Sequence, residues 1–158
     1  MHAFIPGSYD PVTNGHMDII SRSAGLFQAV TVAVLHNSRK QPLFSLEEKT
    51  ALLEEACALY PNVRVAAFDG LLTKAVKEAG ADVLVKGIRS VTDMEYEEPM
   101  AVMNRKLTPS VETLYMPGAP EYQALSSTLV KEIARHGALT DDMVPEAVKA
   151  ALEKKFSS

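Results

Sequence analysis

The sequence predicts an α/β fold, a doubly wound parallel sheet of about five strands with helices on both faces. Two observations support it: short apolar, β-branched runs alternate with helical patterns along the chain, and the connections between them are short. Composition agrees, because 158 residues with 47% hydrophobic and 23% charged residues suit one globular domain. We therefore expect a single domain, with additional helices at its C-terminal end.

The first half of the chain predicts three strands separated by two helices. An apolar run ending in a Pro-Gly turn predicts the first strand, and apolar residues at helical spacing predict a helix over 14–28. A nearly continuous β-branched run at 29–36 fits a parallel strand buried on both faces. Ser45 and Glu48 form a capping box that opens the second helix, and the run at 63–68 predicts the third strand.

The second half continues the same alternation. A helical pattern closes at Gly80, and a fourth strand is predicted at 82–87. Thr92 and Glu95 have the spacing of a second capping box, and Pro99 is expected to kink the helix that follows or to mark a late start. The remaining predicted elements are a strand at 111–116, a short helix from Ser126 to His136 and a last helix from Pro145 to Phe156.

Composition and motifs argue against several classes of function. A formal net charge of −4 argues against a nucleic-acid-binding face, and no apolar run approaches the about 20 residues of a transmembrane helix. The one cysteine, Cys57, excludes an internal disulfide and is expected to be a buried bystander. The sequence lacks a G-x-G-x-x-G fingerprint, a Walker A motif, a zinc-spaced Cys/His set and a G-x-S-x-G elbow. We expect a cytoplasmic protein without nucleic-acid or membrane partners.

The stretch FIPGSYDPVTNGH, residues 4–16, follows the first strand and is a candidate ligand-binding loop. Ligands bind outside the carboxyl ends of the strands in such sheets, and this loop lies at that edge. Gly7 and Gly15 have no Cβ and allow the backbone to approach a ligand closely. His16 lies in the first turn of the next helix, where unpaired N–H groups and the positive dipole end favour an anion. Taken alone, His16 could equally be a partly buried structural histidine.

Cations and hydroxyl groups occur on the other loops at the same edge. Lys40 follows the second strand, Lys86 ends the fourth strand and Arg89 follows it. An ammonium group at the end of a buried strand needs an anionic partner, because an unpaired buried charge is costly. The hydroxyl-rich helix start at 126–128 is either an ordinary capped start or a second phosphate cradle. The sequence thus predicts a polyphosphate site without an obvious nucleophile or base.

Four motifs, in order, resemble one enzyme family over nearly the full chain. PGSYDPVTNGH is similar to the signature of the T/HxGH nucleotidylyltransferases, and with VKGIRSVTDMEYE, MNRKL and LSSTLVKE the chain resembles the bacterial phosphopantetheine adenylyltransferases. The resemblance implies a Rossmann-like nucleotidylyltransferase domain over residues 1–158 that transfers the adenylyl group of ATP to 4′-phosphopantetheine. The products would be dephospho-coenzyme A and pyrophosphate. It also implies Mg²⁺ carried with ATP, coenzyme A as a candidate feedback inhibitor, and a cytoplasmic homohexamer.

The resemblance further implies roles for individual residues. His16 would stabilise the transition state, with Lys40 and Arg89 as further catalytic residues, and no metal ligand is implied. Phosphopantetheine would contact Ser8, Lys40, Leu72 and Lys86, with Asn104 as an additional contact. ATP would contact Ser8, Tyr9, His16, Gly87, Ile88, Arg89, Glu97, Tyr122, Gln123, Ala124, Leu125, Ser126, Ser127 and Thr128.

Two of these positions depart from the pattern of the family. Ser8 stands where threonine is usual, and serine keeps the hydroxyl group. Lys86 stands where many members have arginine, and lysine keeps the charge but lacks the bidentate fork. Neither departure changes the expected reaction.

Several alternatives stay open at this stage. Related enzymes act on nicotinate mononucleotide or glycerol phosphate, and these usually have histidine where this chain has Thr13; a nucleotide-binding sensor without turnover is a second alternative. Asp10 is expected to bond nearby backbone N–H groups, and Glu97 could be a helix-surface carboxylate. One helical stripe could be core, pocket wall or subunit contact; its members are Tyr96, Met100, Met103 and Leu107.

Overall fold

The structure, a computed structural model, describes residues 1–157. Within this range, strands and helices alternate as the sequence predicts, and a 3₁₀ turn precedes the fifth α-helix. The elements are β1 His2–Gly7, α1 Asn14–Leu26, β2 Ala29–His36, α2 Leu46–Cys57, β3 Val63–Asp69, α3 Leu72–Ala79, β4 Val83–Ile88, α4 Val91–Leu107, β5 Glu112–Pro117, the turn Pro120–Tyr122, α5 Ser127–Arg135 and α6 Glu146–Phe156. None of these helices combines the length and apolar character that crossing a bilayer requires.

The described strands form one parallel sheet in the order β3-β2-β1-β4-β5, which confirms the predicted fold class. The chain moves outward from β1 to β3 and then returns to the other side of β1, so the direction of the crossovers reverses between β1 and β4. Ligands bind at such a reversal in doubly wound sheets. The β1–β4 ladder pairs only Ala3 with Val83 and Phe4 with Leu84, so the carboxyl ends of these strands diverge around a crevice.

Both faces of the sheet are covered, because successive side chains of a strand point in opposite directions. In β1, Ile5 packs into a large cluster with residues of α1, α2, α5 and α6, whereas Phe4 packs with Val76 of α3 on the other face. The strand β2, which lies between β3 and β1, is buried over 30–34. This burial explains its nearly continuous β-branched sequence.

Several helix boundaries follow the predicted signals. Thr13 caps α1, and Ser45 with Glu48 forms the predicted capping box of α2. Gly80 ends α3 with φ of 66°, a left-handed conformation that glycine adopts without steric cost. Sequence signals at helix ends were therefore reliable where the capping side chain or the glycine lies at the boundary itself.

The start of α4 differs from the prediction. Ser90 is the N-cap and its hydroxyl accepts from the backbone N–H of Asp93 at 3.1 Å, so the predicted Thr92–Glu95 capping box is wrong. The cap lies two residues earlier because β4 ends at Ile88 and leaves only a short connection. The helix also runs through Pro99, so the predicted late start is wrong.

The opening loop, residues 4–16, is hydrogen-bonded to the C-terminal third of the chain. Ser127 donates its hydroxyl hydrogen to the carbonyl oxygen of Pro11 at 2.7 Å. The backbone N–H of Asn14 donates to the carbonyl oxygen of Met143 at 2.9 Å, and its side-chain amide donates to that of Asp142 at 2.8 Å. These bonds join residues more than one hundred positions apart at the carboxyl edge of the sheet.

Candidate active site

A cavity of about 500 Å³ lies at the carboxyl ends of β1 and β4, where the sheet order reverses. Its walls come from the ends of both strands, the first turn of α1, the first turns of α4 and the segment that leads into α5. Among the predicted site residues, the structure brings these to the lining: Tyr9, His16, Lys86, Gly87, Ile88, Arg89, Glu97, Tyr122, Leu125, Ser126 and Ser127.

His16 is held in one orientation and one tautomer by the residue that caps α1. The backbone N–H of Thr13 donates to Nδ1 of His16 at 2.9 Å, while the Thr13 hydroxyl accepts from the backbone N–H of His16 at 3.4 Å. Because Nδ1 accepts a hydrogen bond, the neutral imidazole carries its proton on Nε2. The arrangement leaves Nε2 as the hydrogen-bond donor of the ring.

The charge state of His16 follows from its surroundings. Desolvation of the ring, and then the positive charge of Arg89, lower the pKa of His16 to about 4. The imidazole is therefore neutral at physiological pH and offers a hydrogen bond rather than a transferable proton. This property suits the stabilisation of an anion more than general acid catalysis.

Tyr9 supports the His16 ring from the side. Its ring meets the imidazole edge to face, with centroids 5.0 Å apart, and its hydroxyl donates to the carbonyl oxygen of Ile5 at 3.0 Å. Tyr9 has φ of 47°, which is uncommon outside glycine, and a Cβ on Gly7 would come within 3.0 Å of the tyrosine ring. Gly7 thus makes room for Tyr9 as well as for a close approach of the backbone.

Lys86 has the anionic partner that its position at a strand end requires. Its ammonium lies 3.3 Å from a carboxylate oxygen of Glu97 on α4, and each side chain is about a quarter exposed (23% and 24%). Both residues line the cavity. A ligand phosphate that reached Lys86 would compete with Glu97 for the ammonium group.

Arg89 connects two walls of the cavity. Its Nη1 donates to the carbonyl oxygen of Leu125 at 2.8 Å, and its Nε lies 3.6 Å from a carboxylate oxygen of Asp93. The backbone N–H of Arg89 donates to the same oxygen of Asp93 at 2.9 Å. The guanidinium is therefore held between the start of α4 and the segment before α5.

Gly87 is required by packing. A Cβ at this position would lie 2.9 Å from Cγ1 of Ile19, a buried side chain of α1. The absence of a side chain lets α1 lie directly against the end of β4. This contact brings the first turn of α1, with His16, towards Lys86 and Arg89.

The segment before α5 contributes a second helix start to the cavity. Ser126 caps α5 by accepting from the backbone N–H of Leu129 at 3.1 Å, and Ser127 is held by its bond to Pro11. The Ser126 hydroxyl is thus an N-cap, as the ordinary interpretation expects. The first backbone N–H groups of α5 still favour an anion in the adjoining cavity.

Other predicted site residues lie outside the lining. Lys40 is exposed on a bend after β2, and Ser8 is exposed within the opening loop. Leu72 packs against the core cluster that contains Phe4 and Val76. Gln123, Ala124 and Thr128 are exposed around the segment before α5. Ligand-binding roles for these residues stay predictions.

Three polar residues of the cavity lining had no predicted role in the site: Thr13, Thr92 and Asp93. Thr13 orients His16, and its signal was present, since a Thr-x-x-His spacing at a helix start resembles a capping box. Thr92 and Asp93 also line the cavity, because α4 begins earlier than predicted. Asp10 bonds backbone N–H groups as expected, although they belong to Leu43 and Phe44.

Known proteins match the chain at two levels. The model of the Cytidylyltransferase-like family matches residues 4–133. Curated phosphopantetheine adenylyltransferases are similar over nearly the whole length: that of Caldanaerobacter subterraneus subsp. tengcongensis is 51% identical over 98% of this chain and 96% of its own. That of Deinococcus radiodurans is 48% identical over 99% of this chain and 95% of its own.

Solved structures with low identity show the same fold. The bifunctional NMN adenylyltransferase/ADP ribose pyrophosphatase of Francisella tularensis has a TM-score of 0.76 and 10% identity, over 99% of this chain and 50% of that protein. A candidate nicotinate-nucleotide adenylyltransferase of Vibrio parahaemolyticus has a TM-score of 0.71 and 15% identity, over 99% of this chain and 96% of that protein. At these identities the likeness concerns the fold alone.

Proposed function

The chain belongs to the phosphopantetheine adenylyltransferases of the cytidylyltransferase-like family, and from this membership we propose how its cavity performs adenylyl transfer. The enzyme transfers the adenylyl group of ATP to 4′-phosphopantetheine and releases pyrophosphate, which yields dephospho-coenzyme A. One observation carries the site assignment: a neutral His16, with its donor on Nε2, shares the cavity with Lys86 and Arg89.

The reaction needs no protein base. The attacking group is a phosphate monoester whose second pKa is about 6, so it is mostly dianionic at neutral pH. Its oxygen attacks the α-phosphorus of ATP in line with the departing pyrophosphate. The remaining obstacles are the approach of two anions and the charge that develops on the phosphates, which positioning and electrostatic stabilisation address.

Three cations and one imidazole divide this task. Nε2 of His16 donates to an α-phosphate oxygen as its charge increases, and Arg89 binds the departing pyrophosphate. Lys86 exchanges Glu97 for the phosphate of phosphopantetheine, and Lys40 reaches the reacting phosphates from the loop after β2. Support comes from the shared lining of His16, Lys86 and Arg89; for Lys40 it comes from the family resemblance alone.

ATP occupies the half of the cavity between β4 and α5 in this proposal. Glu97 accepts from a ribose hydroxyl, and the helix start at Ser127 receives phosphate. Phosphopantetheine occupies the other half, near Ser8, Leu72 and Lys86. The further ATP contacts are Ser8, Tyr9, His16, Gly87, Ile88, Arg89, Tyr122, Gln123, Ala124, Leu125, Ser126 and Thr128.

Mg²⁺ fits this site as an ion carried by the nucleotide. Among residues 1–157 no group of three or more His, Cys, Asp or Glu side chains could hold a metal ion. Mg²⁺ commonly keeps several waters and binds substrate phosphates, and it would neutralise part of their charge here. The protein side chains then position the phosphates around it.

We also propose a cytoplasmic homohexamer whose activity coenzyme A inhibits, on the family resemblance. One observation supports self-association: the helical stripe on α4 is exposed in the single chain. Its members Tyr96, Met100, Met103 and Leu107 are 77%, 51%, 48% and 53% exposed, and Leu114 of the edge strand β5 is 40% exposed. Apolar surface of this extent marks an interface more often than a free surface.

The decisive experiment combines the protein with ATP, Mg²⁺ and one phosphorylated acceptor at a time, and detects products by mass. We expect dephospho-coenzyme A from 4′-phosphopantetheine and no adenylylated product from nicotinate mononucleotide or glycerol phosphate. A His16→Ala variant should turn over about a hundredfold more slowly with ATP affinity changed far less, because one preorganised donor is lost. Binding of ATP without product from any acceptor would instead favour the nucleotide sensor.

A further inference from the structure

We propose that Asp10 is a positioning residue that anchors the Lys40 loop, defined as residues 37–44, beside the active site. The inference rests on the proposed function, because it assigns Lys40 to the reacting phosphates. Asp10 lies two residues after Ser8 in the opening loop and is 8% exposed.

The carboxylate of Asp10 grips two successive backbone N–H groups of the Lys40 loop. Oδ2 accepts from the N–H of Leu43 at 2.9 Å, and Oδ1 accepts from the N–H of Phe44 at 2.9 Å. Hydrogen bonds to an ionised acceptor are roughly twice as strong as neutral ones. Phe44 itself is 1% exposed, so these two hydrogen bonds lie at the boundary between the loop and the core.

A lysine from the ATP-binding side completes the anchor. The Nζ of Lys131 on α5 donates to Oδ2 of Asp10 at 3.0 Å. Burial alone would raise the pKa of Asp10, but the hydrogen bonds from Phe44, Leu43 and Lys131 outweigh it and hold the pKa below its usual value. Asp10 is therefore an anion at working pH, and its two carboxylate oxygens link the Lys40 loop to Lys131 on α5.

The rest of the Lys40 loop has few attachments. Residues 37–42 are exposed, and the bonds within this part are local: the N–H of Lys40 donates to the carbonyl oxygen of Asn37 at 3.3 Å, and that of Arg39 to the Asn37 side chain at 3.0 Å. Lys40 lies three positions before Leu43, a span of at most about 11 Å. The grip therefore limits the positions that the Lys40 ammonium can reach.

The opening loop thus positions two groups with adjacent side chains. Tyr9 packs against the His16 ring, and Asp10, the next residue, holds the Lys40 loop. The left-handed backbone of Tyr9, with φ of 47°, sends the two side chains to different partners. Misplacement of a reacting group by about 1 Å can lower a rate by about a hundredfold, so this shared support matters for turnover.

The test replaces the Asp10 carboxylate with an amide of the same shape. In Asp10→Asn, the amide NH₂ faces a backbone N–H and one of the two bonds is lost. We expect kcat to fall by about tenfold or more with the KM for ATP nearly unchanged. In a Lys40→Ala background the same substitution should lower kcat by less than about twofold, because two residues that act through one group are non-additive.

A second measurement is independent of activity. Limited trypsin digestion should cleave after Arg39 and Lys40 about tenfold faster in Asp10→Asn, while cleavage after Arg105 and Lys106 in α4 keeps its wild-type rate. Lys131→Met keeps the two backbone hydrogen bonds to Asp10 but removes the cation. It should lower kcat and accelerate cleavage in the Lys40 loop, both by less than Asp10→Asn does. Asp141→Asn is the matched control, since that exposed carboxylate pairs with Lys149, and it should change neither.

Four outcomes would overturn the proposal: an unchanged kcat, unchanged cleavage in the loop, full additivity with Lys40→Ala, or cleavage in the loop and in α4 accelerated together. The last would show general loosening of the fold. If the unsubstituted enzyme makes no dephospho-coenzyme A, the proposed function fails, and the trypsin measurement still decides whether Asp10 anchors the loop.

Discussion

At the scale of single residues, His16 shows how neighbours determine what a side chain can do. The position of His16 at a helix start was evident from the sequence. Its tautomer and charge were not, because they depend on the Thr13 backbone N–H and on Arg89, which is 73 residues away in the chain. A pattern of residue types predicts where an imidazole lies, but its protonation depends on contacts made after folding.

His16 should make stability fall on acidification. Its pKa is about 4 in the folded chain against 6.5 ordinarily, so between these values the unfolded chain binds a proton that the folded chain does not. The stabilising contribution is complete above pH 6.5 and is lost as pH falls towards 4. When the pH is lowered from 7 to 5, the unfolding free energy of the unsubstituted chain should fall by about 1–2 kcal/mol more than that of His16→Gln. Urea denaturation of both proteins at the two pH values measures this difference.

The comparison contains its own control. Between pH 8 and pH 9 His16 is neutral in both states, so the two proteins should respond alike. An equal loss from pH 7 to pH 5 in both proteins would show that the His16 ring is protonated as easily in the folded state as in the unfolded one.

Lys40 marks a limit of prediction at this scale. The sequence places it on the correct edge of the sheet, yet the structure has it exposed outside the cavity. Periodicity predicts buried strands and helices, but the path of a polar loop depends on distant anchors, here Asp10 with Leu43 and Phe44. Leu72 differs from Lys40, because its apolar side chain packs against the core cluster of Phe4 and Val76 instead of lying exposed on a loop.

At the scale of elements, the start of α4 depends on one hydroxyl. Ser90 accepts from the N–H of Asp93, so Ser90→Ala should lower the unfolding free energy by about 1 kcal/mol. Thr92→Ala should cause no comparable loss, because Thr92 lies within the helix and alanine is the better helix former. Urea denaturation of the two variants decides which residue caps α4. A larger loss of unfolding free energy for Thr92→Ala than for Ser90→Ala would favour the predicted Thr92 cap.

The contact of α1 with β4 also gives a prediction. Gly87→Ala should lower the unfolding free energy by about 1–3 kcal/mol, since its methyl group would meet Ile19 at 2.9 Å. Adding Ile19→Ala should cost less than the sum of the two single changes. Gly25→Ala is the matched control, because a Cβ there meets nothing within 4 Å. A strictly additive double variant would show that the contact does not constrain Gly87.

Elements were predicted better than their boundaries for a physical reason. Burial of whole faces gives β2 and α1 many residues of consistent pattern, so their existence and type were correct. A boundary depends on one or two bonds. At α4 the spacing of Thr92 and Glu95 predicted one cap, whereas the end of β4 at Ile88 puts Ser90 at the boundary instead.

At the scale of the whole molecule, the exposed stripe of α4 predicts assembly. A variant with Met103→Glu and Leu107→Glu places charges on this stripe and should lower the particle mass measured by light scattering below that of the unsubstituted protein. Leu59→Glu is the matched control, since Leu59 is an 85% exposed leucine away from α4, and it should keep the assembly. If the double variant keeps the full mass, the stripe lies outside the interface.

The long-range bonds of the opening loop have a consequence for synthesis. Residues 4–16 leave the ribosome well before the partners of Asn14 and Pro11, which are Met143 and Ser127. A nascent chain that ends before these partners lacks one wall of the cavity beside His16, since domains fold as units only once their parts have emerged. The nucleotide site is therefore complete only after Met143 has been translated, and a premature stop after β5 would leave a sheet with no closed place for nucleotide.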